Sequence, residues 1–554
     1  MSRAAEAFRK AGPHAPAFFL LLAVAAGGLR SPSAWLAFGA VFLFWLALSP
    51  RGLSSAGLRA PVLFFAWLAA AALFSPAPAA SISVFSRYAV LGFLFFYAAS
   101  SEEGGGGWLA VLSGLGAAAA LVFIFERIYN CTPAGFIGAN PGYSAAFCAA
   151  AFPPALLVLS GPAGRKEKIY NAALALLLAA GIFASVTRSA ALAAFLSAAA
   201  GLCVMRRWGW LAALLTAGLA GLALLPVSAW EGLLKLGDPH AFERPLLWGS
   251  ALEAAAARPL LGWGPGLFGS VFETFKFPYF DGLSFYGHST LHAHSEILNL
   301  AAEAGFPAAA LFLLTAASAL LSGGRERLPL KLCALAVLIQ GGTNMIFYSG
   351  AVALLYWGSL GFAAAAGRAP AEGLARAKQP AGSACSVKTA LAALCFAGLA
   401  AAPAAELLNR REAAVARPSY IEQRGKNPAL ALALARSPAL DRPKDPFAAA
   451  DEAQAFAAAG DAAGAEAAFG RALSLEPGFA GARLGLALVH AAARRTDEAC
   501  AGLAFLEKAP AAAPRNAYQR GLVHFDRAAA EKIKKDLCRK KKTGAATASR
   551  RRTR

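Results

Sequence analysis

The chain has 554 residues, of which 58% are hydrophobic and only 15% charged, with 52 Lys and Arg against 31 Asp and Glu. Soluble domains carry about 25% charged residues, so a mean hydropathy of +0.52 excludes an ordinary soluble protein. The net charge of +21 is not a nucleic-acid footprint, because much of it sits in short loops between apolar runs and no aromatic interleaving accompanies the rest.

Apolar runs suited to ~30 Å of hydrocarbon lie near 15–29, 34–48, 61–75, 87–99, 107–125, 143–160, 169–186, 190–205, 208–226, 305–322, 332–347, 351–366 and 389–404. They predict an all-α polytopic membrane protein of about 12–14 transmembrane helices. Cytoplasmic loops retain Lys and Arg, which gives an independent test. With Arg3, Arg9 and Lys10 inside, the inside loops carry Arg51 and Arg59, then Arg165, Lys166 and Lys168, then Arg206 and Arg207, then Arg325, Arg327 and Lys331, then Arg368, Arg376 and Lys378. Only Ser101-Glu102-Glu103 breaks the pattern. The same alternation puts a large loop, about 227–304, outside, together with everything after about Glu406. No cleavable signal peptide is expected, since the first apolar run is followed directly by others.

Four regions result: a transmembrane domain over 1–405, a linker over 406–440, a helical region over 441–530 and a basic tail over 531–554. In the third, Gly460-Asp461 followed by Ala465, Ala468, Phe469, Ala472 and Pro477 resembles a tetratricopeptide unit. Ala465 and Phe469 recur 34 residues later as Ala499 and Leu503, the period of that repeat. Such helix pairs either offer a concave surface to a protein partner or cap the membrane domain. The tail, with Lys540-Lys541-Lys542 and Arg550-Arg551-Arg552, reads as disordered and suited to anionic lipid. The eight cysteines show no metal spacing; five (Cys148, Cys203, Cys333, Cys385, Cys395) fall in or beside spans. Cys500 and Cys538 can pair if this region is exported.

Phe242 to Gly305 is a polar island between apolar runs. It holds Glu243-Arg244-Pro245 with Trp248, the run Gly262-Trp263-Gly264-Pro265-Gly266, and His292-Ala293-His294. Ionisable groups gathered here face water or serve function. The glycine run lacks the preceding strand and following acidic residue of a dinucleotide site; it is either a re-entrant turn or a plain flexible loop. The His-x-His pair has no further ligands at zinc spacing, so no metal or other cofactor is expected. His14, His240, His490 and His524 read as surface residues.

Three sets of residues together resemble the O-antigen ligase and polymerase superfamily of bacterial envelope glycan transferases, over roughly 60–365. They are Gly135-Phe136-Ile137-Gly138-Ala139-Asn140-Pro141, Ser185-Val186-Thr187-Arg188-Ser189-Ala190, and the island with Arg244, Trp248, Pro259, Gly262-x-Gly264-x-Gly266, the histidines and Glu303-Ala304-Gly305. One departure is that the family histidine is commonly followed by asparagine, whereas His294 is followed by Ser295. Serine still donates and accepts a hydrogen bond.

The resemblance implies a GT-C-like fold in the bacterial inner membrane. It further implies transfer of a glycan from undecaprenyl diphosphate to an acceptor hydroxyl on the periplasmic side, in one metal-independent inverting step. The lipid A–core saccharide is the first acceptor expected. Arg188 and Arg244 suit the donor diphosphate, because guanidinium pairs bidentately with phosphate and stays charged; Arg87 and Arg127 are weaker candidates. His294 is the expected base, with His292 and His288 behind it. Gly262, Gly264, Gly266 and Glu303 form the supporting loop. Alternatives are O-antigen polymerisation, protein O-oligosaccharide transfer, or a transporter or scaffold; a transporter would show internal repeats meeting at the midplane.

Overall fold

The computed structural model describes residues 12–49, 53, 58–101, 105–223, 243–365, 388–401, 427–508, 510 and 512–538. The positions Arg3, Arg9, Lys10, Arg51, Glu102, Glu103, His240, Arg368, Arg376, Lys378 and Cys385 lie outside the described residues, as do residues 224–242 and the tail from 539. Among the described residues every regular element is helical. Two units form: Met1–Phe268 with His292–Glu406, and Gly269–Leu291 with Leu407–Arg554.

The first unit contains α1 (Ala15–Ala25), α2 (Pro32–Leu48), α3 (Arg59–Leu73), α4 (Pro78–Ala99), α5 (Gly106–Ile128), α6 (Pro141–Ser160), α7 (Arg165–Ala184), α8 (Arg188–Val204), α9 (Trp208–Ala223), α10 (Arg244–Ala257), the start of α11 (Phe268–Phe275), α12 (Glu296–Leu321), α13 (Leu328–Thr343), α14 (Gly350–Ala364) and α15 (Lys388–Ala401). Each of the thirteen apolar runs falls on one of these helices. Five of them, α4, α5, α6, α7 and α12, are long and apolar enough to cross a membrane by length and composition, and most of the others are apolar helices of 10–17 residues. The chain is an all-α polytopic membrane protein. Two helices start well before their runs: α4 begins at Pro78 and α12 at Glu296. Consequently Arg87 lies within α4 rather than at its end.

α6 is the centre of this unit, packed on α5, α7, α8 and α13. Its start follows from sequence: Asn140 accepts from Gly142 N at 2.8 Å as N-cap, and Pro141 occupies the first turn, where its missing N–H costs nothing. Small residues let the helices approach closely. A Cβ on Gly181 would lie 2.4 Å from Ala120 Cα, and one on Gly361 would lie 2.5 Å from Phe95 O. The α3, α12 and α14 contact is aromatic, with Trp357 against Phe64 at 5.6 Å and Tyr356 against Phe312 at 5.6 Å between ring centroids.

The second unit is built from α16 (Pro428–Asp441), α17 (Pro446–Ala458), α18 (Ala462–Leu475), α19 (Ala480–Ala492), α20 (Thr496–Phe505), α21 (Ala517–Val523) and α22 (Arg527–Ile533), together with the loop segment Gly269–Leu291. The 34-residue recurrence is a packing recurrence: Ala465, Phe469, Ala499 and Leu503 are all buried. Asp461 caps α18 through Gly464 N at 2.8 Å, and Gly460 before it adopts φ +81°. Cys500 and Cys538 form a disulfide, with Cα atoms 5.9 Å apart.

Candidate functional site

The two arginines singled out by sequence each open a helix. Before α8, Ser185 Oγ donates to Ile182 O at 2.7 Å and Val186 takes φ 53°, so the chain turns sharply and Arg188 becomes the first helical residue. Arg244 likewise begins α10, with Pro245 behind it. Both positions carry the positive end of a helix dipole. Arg244 Nη1 donates to Thr343 O at 2.9 Å. Burial, and then the charge of Arg188, lower the pKa of Arg244, so the two guanidiniums lie within electrostatic reach of each other. Among the described residues neither has a carboxylate partner. Two uncompensated like charges favour an anion between them.

His294 belongs to the same cluster. It sits at φ 52°, immediately before Ser295, which caps α12 by accepting from Leu298 N at 3.4 Å. Ala293 N donates to Asn299 Oδ1 at 3.2 Å, holding the turn against the helix it precedes. Burial first, and the Arg244 charge second, lower the pKa of His294, while a hydrogen bond with the Asn344 side chain opposes them. Its Nδ1 is buried without a hydrogen-bond partner. The His292 ring packs on Tyr348 at 4.8 Å, and burial followed by the nearby His294 takes its pKa down to about 4. Both shifts favour the neutral imidazole, the form that accepts a proton.

Behind these groups lies a set that sequence reasoning missed. Asn344 donates to Ser189 Oγ at 3.4 Å and accepts from Met345 N at 2.9 Å. Gln340 Nε2 donates to Gly142 O at 2.8 Å. A Cβ on Gly142 would meet Asn344 Nδ2 at 2.9 Å, so any larger residue there would displace the Asn344 amide at this approach of α6 to the end of α13. Buried Glu296 accepts from Phe347 N at 2.6 Å, fixing the bend that carries Tyr348. A signal existed: Gln340, Thr343 and Asn344 are polar residues inside an apolar run, where polar groups are functional by default. The Ser295 departure also finds its physical place. Serine caps the helix, and the amide beside the histidine comes from Asn344.

The glycine run is a packed strap. α12 is broken at Gly305, which takes φ 83° and ψ 167°. Pro307 has no N–H for the carbonyl four residues back, Glu303 O, and Gly264 N supplies one at 2.7 Å. Phe306 N turns away to Pro259 O at 2.9 Å, leaving Ala302 O to Trp263 N at 3.1 Å. Ala304 O accepts from Trp67 Nε1 at 3.1 Å. An unsatisfied backbone group in hydrocarbon costs several kcal/mol, roughly, so the strap is what permits the break. Gly262, Gly264 and Gly266 all have positive φ, and Cβ atoms there would meet Glu303 C at 2.4 Å, Ser75 Oγ at 2.2 Å and Val84 Cγ2 at 2.5 Å. The glycines do let the chain turn tightly, and the close packing is that of an ordered segment rather than a plain flexible loop. Glu303 Oε1 accepts from Phe268 N at 3.2 Å, tying down the end of the strap.

Other candidates fall elsewhere. His288 lies in the second unit among Phe272, Phe277 and Tyr279. Arg127 is exposed in the last turn of α5. His14 and His524 are exposed, but His490 is buried, contrary to the surface reading, because α19 turns it inward toward Glu466 at 3.4 Å. Glu466, His490 and Glu498 lie within ligand distance of one another, yet Arg495 already pairs with both carboxylates.

Residues 173–313 match the family model of the O-antigen ligase, and residues 456–523 match a tetratricopeptide repeat model. The first stretch contains Arg188, Arg244, the strap, His292 and His294; the second contains the 34-residue recurrence. Both resemblances drawn from sequence are thereby borne out. No curated protein matches the chain.

Proposed function

We propose that this protein is an inner-membrane glycosyltransferase of the O-antigen ligase type, taking a glycan from undecaprenyl diphosphate to an acceptor hydroxyl on the periplasmic side. The observation that carries it is the grouping of Arg188, Arg244 and His294, two guanidiniums without a carboxylate partner among the described residues and a half-buried imidazole, inside the stretch matching the O-antigen ligase model.

In this reading the lipid diphosphate is bound by Arg188 and Arg244, each adding a helix N-terminus to its guanidinium. The acceptor hydroxyl gives its proton to His294 as its oxygen attacks the anomeric carbon. The bond from that carbon to the diphosphate oxygen breaks with inversion, and the departing negative charge develops between the arginines, where preorganised donors are most effective. Asn344 orients the imidazole. No paired carboxylates of glycosidase type are needed, because diphosphate leaves with little protonation.

The Cys500–Cys538 disulfide supports an exported C-terminal region, since such bonds persist in oxidising compartments. The groove of the repeat region, about 980 Å³ and lined by Phe447, Phe469, Phe479, Leu484 and Phe525, is a surface for a protein partner.

Deleting the gene and analysing carrier lipid and envelope glycans tests the reading. Long glycan accumulating on the carrier, with none on the lipid A–core saccharide, is the expected result. Single repeat units on carrier or core would point to a polymerase, loss of protein-bound glycan to a protein glycosylating enzyme, and an unchanged glycan pattern would refute transfer altogether.

A further inference from the structure

The side chains of the repeat region reach a strand of main chain that belongs to the loop between α10 and α12. Glu476, at the C-terminal cap of α18 and 1% exposed, accepts from Phe285 N at 3.0 Å and from Tyr286 N at 2.7 Å, and Tyr518 Oη donates to it at 3.0 Å. Asp281 accepts from Leu283 N at 3.0 Å, Ser284 N at 2.8 Å and Ser284 Oγ at 2.9 Å, and its other partner is Gln519 Nε2 at 2.7 Å. Lys444 Nζ donates to Lys276 O at 2.5 Å. The arm itself is folded back, with Tyr279 N bonded to Phe285 O at 2.8 Å.

Packing alone does not account for this. A buried carboxylate needs donors, and two of the three that satisfy Glu476 are backbone amides of the arm. Without the arm, Glu476 would keep only Tyr518 as a donor. The repeat region receives main chain of the arm at Lys444 and Glu476, and the Asp281 side chain at Gln519.

We propose that the tetratricopeptide-like region works in cis as a clamp on the external arm, residues 276–288, anchoring the lead-in to His292 and His294; the link to transfer rests on the function proposed above. Its partner is therefore in the first instance this chain's own loop. Glu476 is a positioning residue and acts on the site through the covalent run from Tyr286 to His292.

The test is Glu476→Gln in the full-length protein in lipid nanodiscs, read by hydrogen exchange and by transfer kinetics. Loss of charged hydrogen bonds is expected to speed exchange at Phe285 and Tyr286 by about 10-fold or more, with protection in α14 unchanged. Misplacement of the lead-in is expected to lower kcat by about 10-fold or more, leaving the KM for lipid-linked donor near wild type. Tyr518→Phe removes one bond, keeps the ring against Phe447, and is expected to give a smaller change of the same kind. Unchanged exchange in both variants overturns the clamp. Faster exchange with unchanged kcat overturns its link to the site. Absence of transfer by wild type itself would count against the proposed function, with exchange still deciding the clamp.

Discussion

Arg244 makes two contributions at once, and two substitutions separate them. Its Nη1 is held by Thr343 O at 2.9 Å, so in the proposed reading the other arm of the fork is the one left to meet a phosphate oxygen. Arg244→Lys keeps the charge but replaces the fork with a point charge. It is predicted to lose one charged hydrogen bond of about 1.5–3 kcal/mol, or roughly 10- to 150-fold in kcat/KM. Arg244→Ala removes the charge as well; donors aimed at developing charge contribute about 2.7–4 kcal/mol each, so the loss is about 10²–10³-fold in kcat. A second signature follows from the histidine. Burial lowers the His294 pKa most, and Arg244 lowers it further, so without the charge that pKa rises toward its ordinary value. The acid limb of the pH profile therefore moves to higher pH in the alanine variant and stays in place in the lysine variant. Initial rates with purified protein in nanodiscs, lipid-linked glycan and acceptor, across the histidine range, provide the assay. A lysine variant at the wild-type rate, or an alanine variant whose acid limb does not move, refutes the reasoning.

The remaining predictions are more local. His294→Ala is expected to cost about 10²–10⁴-fold in rate with insertion and expression unchanged; near-normal transfer by the folded variant removes it as the base. Asn344→Ala takes away the hydrogen bond that raises the His294 pKa, so its acid limb should shift to lower pH, and an upward shift contradicts the assignment. Cys500 and Cys538, cross-linked over a separation of 38 residues, should resist thiol labelling in whole cells until reduced, and replacing both by serine should destabilise the repeat region by up to about 4 kcal/mol; labelling without reductant denies the bond. Chelators should leave transfer unaffected, and activity lost with chelator and restored by zinc or magnesium would overturn the metal-free reading.

Much of the architecture was legible because its determinants are local. Apolar runs, the Asn140-Pro141 cap and the 34-residue recurrence each announce themselves within one segment. Arg188, Arg244 and His294 were legible as residue types at segment ends, yet their mutual proximity is tertiary and only the folded chain displays it. Asn344 and Gln340 were passed over because an apolar average hides two polar residues. The glycine strap was only partly legible for a related reason. Its purpose is to supply N–H groups to carbonyls 39 residues away, and nothing in Gly262-Trp263-Gly264 says that α12 will break at Gly305. Nor does composition mark Gly269–Leu291 as belonging with the repeats, since several of the contacts are made to its main chain.

The stitch between the strap and α12 has an architectural consequence. Trp263 and Gly264 are bonded to Ala302 and Glu303 by main-chain hydrogen bonds, so the chain leaves this point and returns to it with both ends already fixed. Everything between is an excursion from a closed base. Lengthening such an excursion costs only about 0.6 kcal/mol for each doubling of its residues, and the main-chain bonds at its base are indifferent to the side chains it carries. A segment spliced into the excursion outside the clamped residues 276–288 and the histidine turn would therefore leave the bonds at its base in place.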